Sequence, residues 1–600
     1  MKEIRKRAQV PVEDTWNLER VYADDTVWQQ EYDETLGLVK QYGSRQQELR
    51  KDAAAVKSLL DNYYSMAQKA GKLYVYATQR SDQDTTDNHY QDMAQRAYSL
   101  LVQLDSAGSF LKPGILSLGK EWLLEAIEGE ELSFYKRAIE VMLREDAHTL
   151  KPEQENLLAE AGIMSSAPKE IYQMLGTADL RFPEAEDEGG EKHPVTSGTF
   201  VQLEMSKDRV LRKSAYEALY DTYEKFKNTM AGLFAANIKQ AVFFAKARQF
   251  SSTRAYYLND SNIPETVYDN LIETVHKNIG LMHRYVALRK QMLGVDSLHM
   301  YDVYVPLLQD FDKEYSFTEA KEIVKEGLKP LGEEYQKLLE EAFSNRWIDV
   351  YENEGKRSGA YSWGSYDTSP YILMNYNGTL DNVFTLAHEL GHSMHSYYSK
   401  TNQPYAYADY KIFVAEVAST CNEALLIRHL LGKTTDVQER AHLINHFLES
   451  YKGTLYRQTM FAEFEMICHR RAEAGDVLTA DVLCEIYRNL NAYYFGEDMV
   501  TDERIALEWA RIPHFYTPFY VYQYATGFSA AIALSDRILK EGETAVADYK
   551  AFLKTGGSLD PIDELKIAGI DMEQPEPVQA ALDVFEQLLG EMEQIYVKKS

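Results

Sequence analysis

Residues 381–398 read DNVFTLAHELGHSMHSYY, with the run His388, Glu389, Leu390, Gly391, His392 at its centre. This is an HExxH pattern, and its spacing has a physical reason. Residues four apart lie one helical turn apart on the same face, so two imidazoles can hold one ion. Glu389, next to His388, is placed to lean towards an ion-bound water instead of ligating. The apolar neighbours Val383, Phe384, Leu386, Ala387 and Leu390 predict a buried helix, and Asp381 and Asn382 are its expected N-caps. A buried His-Glu-His face needs partners or a metal. Gly391 costs such a helix about 1 kcal/mol relative to Ala, which predicts that something approaches closely there.

A catalytic zinc site has three protein ligands and one open position. The next helical stretch, residues 411–426 (KIFVAEVASTCNEALL), sets Glu416 among Phe413, Val414, Val417 and Ala418. A carboxylate there is costly to bury unless it is paired or coordinates a metal, so Glu416 is the preferred third ligand. Glu423 lies two turns further along the same face, where it can accept a hydrogen bond from a ligating imidazole. His395 and Asp409 remain as competing ligands, His395 reading better as a supporting or structural group. His429 is expected to be exposed or in the core. With zinc bound, the scissile carbonyl is polarised and a water is acidified; Glu389 takes its proton and passes it to the leaving amine. A further hydrogen-bond donor to the developing oxyanion is expected.

Around this pair of helices the chain is expected to be helical almost throughout. Three- and four-residue apolar spacing predicts helices over 48–80, 85–112, 118–145, 152–164, 205–248, 264–293, 317–345, 381–399, 410–432, 436–472, 478–493 and 518–541. Lys112-Pro113-Gly114 and Lys151-Pro152 read as breaks. Residues 181–200 (RFPEAEDEGGEKHPVTSGTF) read as a hairpin or exposed loop, with a domain boundary there: 1–200 a helical N-terminal domain, 201–600 the catalytic one. Residues 356–378 (KRSGAYSWGSYDTSPYILMNYNG) suit short strands directly before the HExxH helix. No fixed-period repeat is present.

The 600 residues are 45 % hydrophobic and 26 % charged, as in folded soluble proteins. A net charge of -29 argues against nucleic acid as a partner, since phosphate binding needs a cationic surface. Cys421, Cys468 and Cys484 have neither CxxC spacing nor an even count, so neither a cysteine zinc site nor a disulfide framework is expected. The basic N-terminus lacks a secretory apolar stretch, and no run has the length of a membrane helix. The expected setting is the cytoplasm, with no membrane partner; the sequence sets no oligomeric state.

The run TLAHELGHSMHSYY followed by FVAEVASTCNEALL closely resembles the M3 family of zinc oligopeptidases, in its oligoendopeptidase F branch. Matched residue by residue, the resemblance implies one Zn2+ per chain on His388, His392 and Glu416, with Glu389 catalytic and Glu423 as the second glutamate of its helix. It extends from about residue 200 to the C-terminus, and the region before looks like the oligopeptidase F N-terminal domain. It implies a mainly α, elongated, multi-helix zincin-like metallopeptidase with a small β-element beside the zinc-binding helix and a central substrate channel. The implied activity is endopeptidase hydrolysis of short unstructured peptides in cytoplasmic peptide turnover.

Residues 511–529 (RIPHFYTPFYVYQYATGFS) admit two readings: an aromatic core helix, or a source of polar ring tips. In the resembled family a histidine followed by tyrosines here contacts substrate and transition state, which carries over to His514; Pro518 departs from the thimet-type pattern and leaves the choice of tyrosine open, with Tyr520 favoured first and Tyr524 second by spacing. These two are four apart and predicted to share a helix face, with Tyr522 pointing elsewhere. Two other functions fit HExxH: hydrolysis of a non-peptide amide, and an inactive helical peptide-binding scaffold, against which intact Glu389 argues.

Overall fold

A computed structural model describes residues 4–308 and 313–597. The fold is mainly α, with few and short strands. The chain builds two compact units. One comprises residues 1–147, 313–429 and 534–570, the other 148–312, 430–533 and 571–600. No helix among the described residues is long and apolar enough to cross a membrane.

The first unit carries the HExxH sequence. Its helices Asp25–Tyr42, Ala53–Gln83 and Asn88–Gly108 pack together around Trp16, Leu18, Trp28, Leu73, Tyr76 and Leu100. The first two are capped by Asp24 and Asp52, whose carboxylates accept backbone amides of the first turn. Tyr371 and Leu373 belong to the same core. They lie on the strand Tyr371–Leu373, the centre of a three-stranded sheet, parallel to Ile348–Asp349 and antiparallel to Tyr361–Trp363. The Ser362 and Ser393 hydroxyls meet at 2.8 Å, joining the edge strand to the HExxH helix. The Gly-, Ser- and Tyr-rich stretch thus forms strands beside that helix.

The second unit is organised by the helix Arg209–Ala247, begun by the Asp208 carboxylate on the Val210 and Leu211 amides. Phe234 on this helix packs against Phe464, Trp509 and Phe515. The hairpin expected over 181–200 is present, with Ala185–Glu186 antiparallel to Lys192–His193.

Several expected helices are interrupted. Residues 118–145 divide into Lys120–Ala126 and Lys136–Asp146, preceded by Gly119 at φ +94°. Residues 317–345 divide at Lys329–Leu331, where Pro330 lacks an N–H and Gly332 takes φ +84°. Residues 264–293 divide at Asn278, whose side chain turns back onto the Thr274 carbonyl. Residues 436–472 hold a π-helical segment, Tyr451–Tyr456, between Val437–Ser450 and Arg457–Glu473. Lys112-Pro113-Gly114 is not a break: it lies within the first turns of the helix Leu111–Ser117, where a missing N–H costs nothing. The helices Asp25–Tyr42, Glu543–Leu553, Pro561–Ile567 and Glu576–Val597 were not among those expected.

Candidate metal centre

The HExxH helix runs from Leu380 to Asn402. Its N-cap is Thr379, whose hydroxyl accepts the Asn382 amide at 3.2 Å; the expected caps Asp381 and Asn382 lie inside the first turn. Thr379 is the last residue with extended backbone, so its side chain is the one aimed at the free amides. The Asn382 side chain instead accepts the Asn377 amide at 2.7 Å. Val383, Phe384, Leu386, Ala387 and Leu390 are buried.

At Gly391 the backbone of the helix Ile412–Lys433 lies directly against the HExxH helix. A Cβ on Gly391 would lie 2.5 Å from Ser419 Cα and 2.7 Å from the Ala418 carbonyl oxygen. Any side chain there would drive the two backbones apart. Nearby, the buried Asn422 amide donates to the Ala387 carbonyl at 3.0 Å and accepts the Tyr335 hydroxyl at 3.0 Å. The two helices are thus locked at a fixed register, and Glu416, one turn before Ser419, faces the histidines.

The donor atoms converge. His388 Nε2 and His392 Nε2 are 3.2 Å apart, and Glu416 Oε2 is 3.4 Å from each. Ser419 Oγ donates to Glu416 Oε2 at 2.9 Å. Glu423 Oε1 lies 2.9 Å from His388 Nδ1. A carboxylate can only accept, so a proton on His388 Nδ1 faces Glu423, and Nε2 is the atom that would offer its lone pair to a bound ion in place of a proton. Burial opposes the charged form of His388, but Glu416 and Glu423 outweigh it and hold its pKa well above the usual value. The Glu416 carboxyl is held far below its ordinary range by the two imidazoles, against the effect of burial. Glu389 is 6 % exposed, its Oε2 has no hydrogen-bond partner among the described residues, and burial raises its pKa.

These atoms form a group able to hold a metal ion. A tetrahedron with metal–ligand bonds of 2.0–2.2 Å has edges of about 3.3–3.6 Å. The three edges, 3.2, 3.4 and 3.4 Å, match it closely, and no further His, Cys, Asp or Glu joins the group among the described residues.

The competing ligands lie elsewhere. His395 is fully buried and stacked on Tyr410 at 3.7 Å, with burial taking its pKa down to about 3. Asp409 is exposed. His429 pairs with Glu326 at 3.6 Å.

His514, Tyr520 and Tyr524 gather in the second unit. Their ring centroids are 5.4–6.1 Å apart, and the Tyr524 hydroxyl reaches that of Tyr520 at 3.4 Å. All three are half-buried, whereas Tyr516 stacks on Tyr172 and Tyr522 packs against Tyr268 in the core. The segment therefore divides into core rings and ring tips that reach solvent. Tyr520 does not share a helix with Tyr524, because the helix begins at Tyr522. Pro518 and Phe519 form a turn before it, with Phe519 at φ +55°.

Sequence reasoning missed Ser419, Asn422 and the Ser362–Ser393 contact. Ser419, three residues after Glu416 on one helix, carried a readable signal; the other two depend on tertiary approach.

Comparison with known proteins agrees with this architecture. Residues 202–584 match the model of Peptidase family M3, and residues 115–182 that of Oligopeptidase F. The chain is 46 % identical to oligopeptidase PepF of Bacillus subtilis, across 99 % of this chain and 88 % of that one. It is 39 % identical to the plasmid oligoendopeptidase F of Lactococcus lactis subsp. cremoris, across 99 % of both. The crystal structure of oligoendopeptidase-F from Enterococcus faecium superposes with a TM-score of 0.75 at 37 % identity, covering 96 % of this chain and all of that one. The chain belongs to peptidase family M3, in its oligoendopeptidase F branch. It is a metallopeptidase of the metalloendopeptidase class.

Proposed function

We propose that the chain is a zinc endopeptidase that hydrolyses short, unstructured peptides in cytoplasmic peptide turnover, with one Zn2+ held by His388, His392 and Glu416. The observation that carries this reading is the convergence of His388 Nε2, His392 Nε2 and Glu416 Oε2 with tetrahedral edges. Two imidazoles and one carboxylate suit zinc. When bound, zinc supplies polarisation of the scissile carbonyl and acidification of a water. Glu389, with its free Oε2, accepts the proton from that water and delivers it to the leaving amine. Glu423 holds the His388 proton on Nδ1 and so fixes the ring's orientation.

His514, Tyr520 and Tyr524 are proposed as donors to the reacting peptide, Tyr520 first. Their half-exposure and shared clustering support this over a core role. The edge strand Tyr361–Trp363 offers a backbone on which an extended peptide adds as a further strand, with little demand on its side chains. Family matches ending at 182 and resuming at 202 support a division of the sequence near 200 into an N-terminal and a catalytic domain. Family membership favours neither a non-peptide amidase nor an inactive scaffold.

The test is metal analysis with peptide-digestion mass spectrometry on wild type and Glu389→Gln. One zinc in both proteins, with cleavage in wild type alone, is the expected result. Loss of zinc from Glu389→Gln would move Glu389 into the ligand set and overturn the assignment.

A further inference from the structure

Phe519 is the one bulky residue of the 511–529 segment at positive φ, +55°, a region disfavoured for side chains of its size. Such a conformation persists only where the surroundings over-determine it. Here two constraints do so. The ring is 3 % exposed, packed against His469 at 4.7 Å and Tyr268 at 5.8 Å between centroids. The amide donates to Glu465 Oε1 at 2.8 Å.

Glu465 sits on the helix Arg457–Glu473 and is 1 % exposed. Its other oxygen, Oε2, has no hydrogen-bond partner among the described residues. Burial disfavours its charged form and raises its pKa to about 8. An apolar residue would suit such a site better unless the carboxyl has a task, and its hydrogen bond goes to the residue directly before Tyr520. Beyond the turn, the Tyr520 and Val521 carbonyls accept the Gln523 and Tyr524 amides at 3.2 Å, opening the helix that carries Tyr524. On the near side, Asn237 Nδ2 donates to the Phe515 carbonyl at 3.2 Å, fixing the turn that carries His514.

We propose that Glu465 is a positioning residue: its hydrogen bond to the Phe519 amide holds the left-handed turn that sets Tyr520 against His514 and Tyr524. The inference rests on the reading of these three side chains as donors to the substrate. Glu465 itself touches no reacting atom.

The experiment measures kcat, KM, bound zinc and Tm for Glu465→Gln, Glu465→Leu and Glu465→Asp, each alone and combined with Tyr520→Phe. Gln keeps an accepting oxygen and should stay within about threefold of wild type. Leu removes the acceptor and Asp withdraws it by one methylene. Both should lower kcat by roughly 10- to 100-fold, the scale of a small misplacement, at near-constant KM and full zinc. Because the effect runs through Tyr520, neither should lower kcat further in the Tyr520→Phe background.

Undiminished kcat in the Leu and Asp variants, while Tyr520→Phe alone is impaired, would overturn this inference and leave the donor reading standing. A loss that repeats in full on the Tyr520→Phe background, or unfolding of both variants with Glu465→Gln stable, would assign Glu465 to core stability and overturn it as well. A normal Tyr520→Phe enzyme would sink the donor reading for Tyr520, and this inference with it.

Discussion

Gly391 and Ser419 meet backbone to backbone, with no room for even a methyl group between their helices: a Cβ on Gly391 would stand 2.5 Å from Ser419 Cα. This contact sets how far Glu416 stands from the two histidines. Gly391→Ala is therefore expected to push the helices apart and weaken metal binding, although alanine is the better helix former. Overpacking of this kind costs about 1–3 kcal/mol. The check is a zinc titration of the apo protein alongside its Tm. Unchanged zinc affinity with an unchanged or raised Tm would show that the spacing is not critical.

Glu389→Gln should lower peptide turnover by about 10²- to 10⁴-fold, the usual contribution of a positioned base, while one zinc stays bound. The amide keeps the shape of the side chain but does not take the proton from water. Turnover against a quenched peptide, with metal content on the same sample, decides it.

Glu416→Ala and Glu423→Ala should differ in degree. Removing Glu416 takes away one of three donors, so zinc should be lost on dialysis. Removing Glu423 releases His388 Nδ1, 2.9 Å away, and should weaken zinc by about 10- to 100-fold without abolishing binding. Competition with a calibrated chelator ranks the two. If Glu416→Ala kept wild-type affinity and activity, the third ligand would have to be sought at His395 or Asp409, despite the burial of the first against Tyr410 and the exposure of the second.

The parts of this centre that were legible in the sequence are those governed by local periodicity. His388 and His392 share a face because helices repeat every 3.6 residues, and Glu416 stood out as a carboxylate among apolar neighbours. The strands beside the HExxH helix were announced by Gly, Ser and Tyr. What escaped was set by distant contacts or by backbone chemistry with two outcomes. Pro113 reads as a breaker, yet fits within a first turn. Tyr520 was expected on a helix with Tyr524, but the turn that excludes it is held by Glu465, 54 residues earlier. No local pattern encodes that bond.

The form of the substrate should follow from recognition by backbone. If an extended peptide adds to the edge strand Tyr361–Trp363, short unfolded peptides of varied sequence should all be cut. A compact, disulfide-locked protein should be spared until it is reduced and unfolded, since it has no free strand to offer. Mass spectrometry of digests before and after reduction tests this. Efficient cleavage of the locked protein would refute strand addition as the mode of capture.

A preorganised hydrogen bond to an oxyanion supplies about 2.7–4 kcal/mol, so losing one should lower kcat by roughly 10²- to 10³-fold. Because the bond strengthens as charge develops, kcat should fall far more than KM rises. Tyr520→Phe removes only an oxygen and leaves the ring against His514 and Tyr524, so packing is spared. Tyr524→Phe should have a smaller effect if its hydroxyl mainly reaches that of Tyr520 at 3.4 Å and orients it. His514→Ala takes away both a potential donor and the ring facing Tyr520, so its loss should be at least as large as that of Tyr524→Phe. Steady-state kinetics on the three variants, each checked for bound zinc, gives the order. If all three keep near-normal turnover, the cluster is packing alone, and the oxyanion donor must come from another part of the chain.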